Sequence, residues 1–190
     1  KILLCKMNIK KIVFTIIVFF VLFSLPFIHV ISNSDLWKYN SGEVENKELI
    51  ISNVDDFLSG RAELKFFDEE VKNHFDEVRS LLWYSKIVFL SLVALGFLLT
   101  FFMNKKDLVA SVIVASKGIL GLWVIFCLWC AISFRTFFHV FHELLFSGNY
   151  TFSYENLVIQ LFTQEFFFGI ALFIAFTEFL LSIFIILLLK

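Results

Sequence analysis

The chain has 190 residues, 59% of them hydrophobic and 28 of them Phe, and its mean hydropathy is +0.87. That lies well above the roughly half apolar content of a soluble domain, so water is not its main solvent. The net charge of −1 hides a segregation: acids crowd Asp35 to Glu77, while bases gather at Lys6, Lys10, Lys11, Lys105 and Lys106, and the absence of a basic stripe with interleaved aromatics argues against a nucleic-acid partner.

The hydrophobicity falls into four blocks, and these predict an all-α membrane protein with four transmembrane helices and short amphipathic helices in two outer loops. Met7, followed by Asn-Ile-Lys-Lys, reads as an initiator. The first block, 12–31, is long enough to cross a hydrocarbon core of roughly 30 Å. It is too long for a signal h-region and lacks a small-residue cleavage site, so it reads as an uncleaved helix, kinked or ended near Pro26. The other spans are expected at 87–103, 108–134 and 166–189, within one integral membrane domain covering 1–190.

Bases beside short loops are retained in the cytoplasm. Lys6, Lys10 and Lys11, the tight loop Asn104-Lys105-Lys106-Asp107 and Lys190 therefore place both termini inside, and segments 32–86 and 135–165 outside. Trp37, Tyr39, Trp83, Tyr84, Tyr150 and Tyr154 fit an outer interfacial aromatic belt.

The first outer segment divides into a loop from Asn33 to Gly42, a short helix from Glu48 to Leu58, and an amphipathic helix. In the last, Phe67, Val71, Phe75, Val78 and Leu82 recur at three- and four-residue spacing. His74 falls on that stripe, and Glu77, one turn later, is near enough to orient it. The second outer segment starts while the third span is still helical. Arg135, His139 and His142 share a face there, a turn is expected at Ser147-Gly148-Asn149, and Tyr154 to Phe162 makes another short amphipathic stretch. Ionisable residues at this depth are functional candidates by default; the structural alternative is a snorkelling Arg135 with histidines that cap or hydrogen-bond within the interface.

The run Phe67-Asp68-Glu69-Glu70-Val71-Lys72-Asn73-His74-Phe75-Asp76-Glu77-Val78-Arg79 resembles the His-centred segment before the second span of the lipoprotein intramolecular transacylase (Lit) family. Phe141-His142-Glu143-Leu144-Leu145-Phe146-Ser147-Gly148-Asn149-Tyr150-Thr151-Phe152, with Leu157 to Phe167 behind it, resembles that family's second signature, and Leu36-Trp37-Lys38-Tyr39 with Gly42 fits its early outer loop. The resemblance implies a four-span protein that moves an acyl chain within a diacylated bacterial lipoprotein, from the sn-2 glyceryl ester to the α-amine of the N-terminal cysteine. It maps the family's two important histidines to His74 and His142, with no cofactor. Glu77 stands where Asp is usual and Thr163 where a proline is typical, which bears on local geometry.

A histidine suits such chemistry, because its ordinary pKa of about 6.5 leaves it mostly neutral at pH 7 and able to take a proton from the attacking amine. The second histidine, or Arg135, then serves as oxyanion donor, with Glu77 in support. Three other readings stand beside this one. His74, His139 and His142 offer a three-His set for a zinc-dependent lipid hydrolase. Cys127-Leu128-Trp129-Cys130 has the spacing of a thiol oxidoreductase, although an apolar surrounding favours packing. A non-enzymatic membrane scaffold is the third.

Overall fold

In a computed structural model, residues 9–147 and 151–190 are described. Cys5, Lys6 and Met7, together with Gly148, Asn149 and Tyr150, lie outside them. The described chain is helical, without a strand: α1 (Ile9–Ile31), α2 (Ser34–Asn40), α3 (Lys47–Leu58), α4 (Glu69–Thr100), α5 (Lys105–Leu145), α6 (Leu157–Leu161) and α7 (Gln164–Leu188). Four of these, α1, α4, α5 and α7, are long and apolar enough to cross a membrane.

The chain divides into two compact units. One consists of the described part of Lys1–Ile28 with Ile87–Cys127 and Ile174–Lys190. Its large apolar side chains, such as Leu90, Ile125, Leu180 and Phe184, are exposed, whereas the small polar Ser111, Ser116 and Ser182 are buried. That inversion suits a lipid solvent, in which helices associate through small residues and close packing. Gly96 meets Ile17, Gly118 meets the ring of Phe19, and Phe23 stacks on Trp123 at 6.0 Å, so α1 packs on α4 and α5 here. Lys11 pairs with Asp107 at 3.2 Å beside the basic loop. α1 runs through Pro26 to Ile31 without ending at it.

The other unit is His29–Lys86 with Leu128–Phe173. Its core gathers Trp37, Ile51, Val54, Phe67, Val71, Phe75, Val158, Leu161 and Phe166. Three expectations are corrected in it. The stretch 33–42 is not a loop: Asn33 accepts the Asp35 N–H at 3.2 Å and starts the short helix α2, an N-cap that the turn-forming residues conceal. Trp37 is not on the surface, as a belt residue would be, but 7% exposed, its indole N–H donating to the Val30 carbonyl at 2.9 Å. The amphipathic stretch 154–162 contracts to α6, whose Asn156 cap sets the start at Leu157.

Gly42 shows why this core needs a glycine. Its N–H donates to the Leu161 carbonyl at 2.9 Å, and a Cβ there would drive into the carbonyl of Gln160. At the end of α3, Gly60 takes φ +75° while its N–H meets the Phe57 carbonyl and that of Arg61 meets Asp56, a left-handed stop that closes the helix.

Candidate active site

α4 begins where the Asp68 carboxylate accepts the Val71 N–H at 2.9 Å. Val71, Phe75 and Leu82 turn into the core, as the stripe predicts, and His74 follows them half-buried. At 1.5 Å per residue the 32 residues of α4 extend about 48 Å, far longer than a hydrocarbon core. The turn carrying His74 accordingly precedes the stretch 87–103 that is expected to span.

α5 is two helices in sequence. Ser133 is extended, with φ −165° and ψ 99°, and its hydroxyl oxygen accepts both the Thr136 N–H at 3.2 Å and the Thr136 hydroxyl at 2.9 Å. Ser133 thus acts as the N-cap of a new helix. That helix buries Phe134 against Phe168 and Phe138 against Phe167, each pair at 5.0 Å, and carries His142 to 6% exposure.

The two imidazoles come together with ring centroids 6.2 Å apart and planes 25° from parallel. His142 Nδ1 lies 2.8 Å from the Phe138 carbonyl oxygen. A carbonyl only accepts, so Nδ1 carries the hydrogen, and the neutral ring keeps its lone pair on Nε2. His74 Nδ1 is buried with no hydrogen-bond partner among the described residues. Phenyl rings wall the pair. Phe146 stands edge-on to His74 at 4.9 Å and tilts over His142 at 5.4 Å, Phe152 lies 5.8 Å from His74, and Phe138 lies 4.0 Å from His142.

Both histidines lie outside the spans expected at 87–103 and 108–134, and both are held below their ordinary pKa. Burial is the main cause for His74, followed by the neighbouring His142, against an opposing pull from the Glu77 carboxylate. For His142 burial again leads; the bond to the Phe138 carbonyl opposes it and the nearby His139 adds to it. A low dielectric disfavours the charged ring, so the pair is kept neutral.

The other candidates are placed differently. Glu77 accepts a hydrogen bond from the Ser147 hydroxyl at 2.8 Å and borders a cleft of about 730 Å³ lined also by Asp76, Tyr84, Glu143 and Phe146. Arg135 is exposed and makes no hydrogen bond or ion pair among the described residues. His139 is half-buried beside His142, yet among the described residues no three His, Cys, Asp or Glu side chains group as a metal ion requires. Cys127 is exposed and Cys130 half-exposed, and they are not joined in a disulfide. What the sequence reading missed is the aromatic wall and the break at Ser133, for which the Ser-x-x-Thr spacing at 133–136 was the available signal.

The sequence profile of the family described as lipoprotein intramolecular transacylase Lit matches residues 3–167. The chain belongs to the lipoprotein intramolecular transacylase family. The Lit structure from Bacillus cereus, an integral membrane protein solved in meso, superposes with a TM-score of 0.79 over 95% of this chain and 92% of that one, at 19% identity. Two variants of the same Bacillus cereus Lit, with a histidine changed to alanine or to arginine, superpose at TM-scores of 0.75 and 0.74, again at 19% identity, covering 95% of this chain and 90% and 89% of theirs. No curated protein matches the chain. Membership in the Lit family makes the chain a multi-pass membrane protein of a transacylase family.

Proposed function

We propose that this protein moves the sn-2 acyl chain of a diacylglyceryl-cysteine lipoprotein onto the cysteine α-amine, with His74 and His142 as the catalytic pair and no metal. The observation that carries the reading is the stacked pair of imidazoles, 6.2 Å apart in a phenyl-lined site, in which the Phe138 carbonyl selects the tautomer of His142.

His142 Nε2 serves as the base. As the amine nitrogen bonds to the ester carbonyl carbon, its proton passes to Nε2; as the tetrahedral intermediate collapses, the carbon–oxygen ester bond breaks and the same proton goes to the glyceryl oxygen. The acyl group ends on nitrogen and no co-reactant is consumed. His74 Nε2–H donates to the oxyanion, an interaction worth about 3 kcal/mol or more in a water-poor site. Amine and ester share one glyceryl-cysteine, so holding them in line supplies much of the rate through proximity. Glu77 supports His74 by favouring its proton-bearing form. Arg135 lies seven residues before His142, about 10 Å along the helix, a distance suited to an anionic group of lipid or substrate rather than to the oxyanion.

The site faces outward and both termini face the cytoplasm, since the short-loop bases all lie on one side. A cysteine placed at Lys38 in a background lacking Cys127 and Cys130 should label from outside intact cells; labelling only after lysis would reverse the topology. For the reaction, a diacylated lipoprotein co-expressed with this protein is expected to yield an N-terminal peptide of unchanged mass with one acyl group on the amine. Both acyl groups remaining on glycerol would refute the reading, and loss of activity after chelation and dialysis would refute its metal independence.

A further inference from the structure

The side chains that cap α4 and α6 are hydrogen-bonded to each other. Asp68 Oδ1 accepts the Val71 N–H at 2.9 Å and caps α4. Asn156 Oδ1 accepts the Val158 N–H at 3.0 Å and caps α6. Their remaining atoms meet each other, with Asn156 Nδ2 donating to Asp68 Oδ2 at 3.1 Å. Each side chain uses one oxygen on its own helix and its other polar atom on its partner. Val71 and Val158, the two capped residues, both sit in the core.

The backbone before this junction is held in an uncommon conformation. Phe66 has φ 69°, in the left-handed region that aromatic residues rarely enter, and the following Phe67 is buried against Phe75 at 5.5 Å. Strain of this kind persists where surrounding structure fixes it, and here it sets Asp68 at the cap.

His74 lies one turn beyond Val71, and Phe152, four residues before Asn156, lies 5.8 Å from its ring. On the far side, the hydrogen bond from Ser147 to Glu77 holds Phe146 at 4.9 Å from the same ring. We propose that Asp68 and Asn156 are a positioning pair, whose mutual hydrogen bond keeps Phe152 against the His74 imidazole and so keeps that face of the site dry. The charged and titratable groups facing His74 are His142 from α5 and Glu77 from α4. Neither belongs to the pair, which acts through the phenyl ring. The catalytic consequence rests on the reading of His74 given above; the structural one does not.

Asn156→Ser separates the two. Serine still caps α6 but is too short to reach Asp68. The exchange Asp68→Asn with Asn156→Asp keeps both caps and restores the bond between the two side chains with its donor and acceptor reversed. The full-length protein in detergent is treated with diethyl pyrocarbonate, and modification of His74 is followed by peptide mass spectrometry against His29 as internal reference. Asn156→Ser should speed His74 modification several-fold and lower kcat more than it raises KM, and the exchange should return both toward the native values. An unchanged His74 rate in Asn156→Ser, or an exchange variant that keeps the native unfolding temperature yet not the native His74 rate, would overturn the proposal. Because the modification rate is independent of turnover, an active His74→Ala variant would sink the catalytic reading and leave this result standing.

Discussion

His142→Asn isolates the base from the fold. The amide N–H₂ of asparagine can donate to the Phe138 carbonyl in place of Nδ1, which now makes that bond at 2.8 Å, but nothing in the new side chain replaces the lone pair on Nε2. Losing a general base costs about 10²- to 10⁴-fold, equivalent to about 2.7–5.5 kcal/mol of barrier at 1.36 kcal/mol per decade. Folding should suffer less. The ring packs on Phe138 at 4.0 Å, and trimming part of a buried side chain typically costs about 1–2 kcal/mol. Purified protein in lipid vesicles, given a diacylated lipopeptide, reports the reaction by fragmentation spectra that locate the acyl group, and thermal unfolding in detergent reports the fold. A rate within tenfold of native, at native stability, would show that His142 is not the base. His74→Ala should lose about 10²- to 10³-fold as an oxyanion donor is removed, while His29→Ala and His139→Ala change little.

Gly42→Ala should destabilise the unit built from His29–Lys86 and Leu128–Phe173, because relieving the clash with Gln160 strains the N–H bond to Leu161; overpacking costs about 1–3 kcal/mol, read as a lowered unfolding temperature with expression retained. The pH dependence of stability follows from the two histidines. Their folded pKa values are depressed, so the folded state binds fewer protons than the unfolded one. Their contribution is full above the ordinary value of about 6.5 and is lost as pH falls through the depressed values. The unfolding temperature should thus drop from pH 7.5 to 5 more steeply in the native protein than in a His74→Asn/His142→Asn double variant; parallel slopes would refute it. Replacing Cys127 and Cys130 with Ala should keep most activity, and its loss at unchanged expression would revive a thiol-exchange reading.

The four long helices were legible because apolar length is a property of composition, and the stripe through Val71, Phe75 and Leu82 because a continuous helix preserves its period. α2 was not, since Asn33 and Ser34 signal a turn and a cap equally well and only the core position of Trp37 decides. The same limit applies after Ser133. Counting 3.6 residues per turn from the third span cannot tell whether His139 or His142 points inward, because the extended residue resets the rotation of everything beyond it. The two histidines were singled out by the residues around them, whereas their approach to each other, the phenyl wall and the hydrogen bond between Asp68 and Asn156 depend on contacts across long stretches of sequence.

On the proposed roles, those contacts let a site of so few polar groups serve the reaction. A base that must accept a proton from an amine near neutral pH has to start neutral, and a buried imidazole among phenyl rings does so without a neighbouring cation. Dryness alone would go too far: a ring with no compensating charge would resist the proton it must briefly hold. His142, the proposed base, gains that compensation from the Phe138 carbonyl, which stabilises the protonated ring, while Glu77 opposes the effect of burial on His74, the proposed donor. Each histidine therefore has a group that offsets its burial and a phenyl wall beside it. The polar residues that hold the wall, Asp68 with Asn156 and Glu77 with Ser147, form their hydrogen bonds at exposed positions. Net hydrogen-bond energies of about 1 kcal/mol each suffice for such ties, because they select where phenyl rings rest on an already folded core.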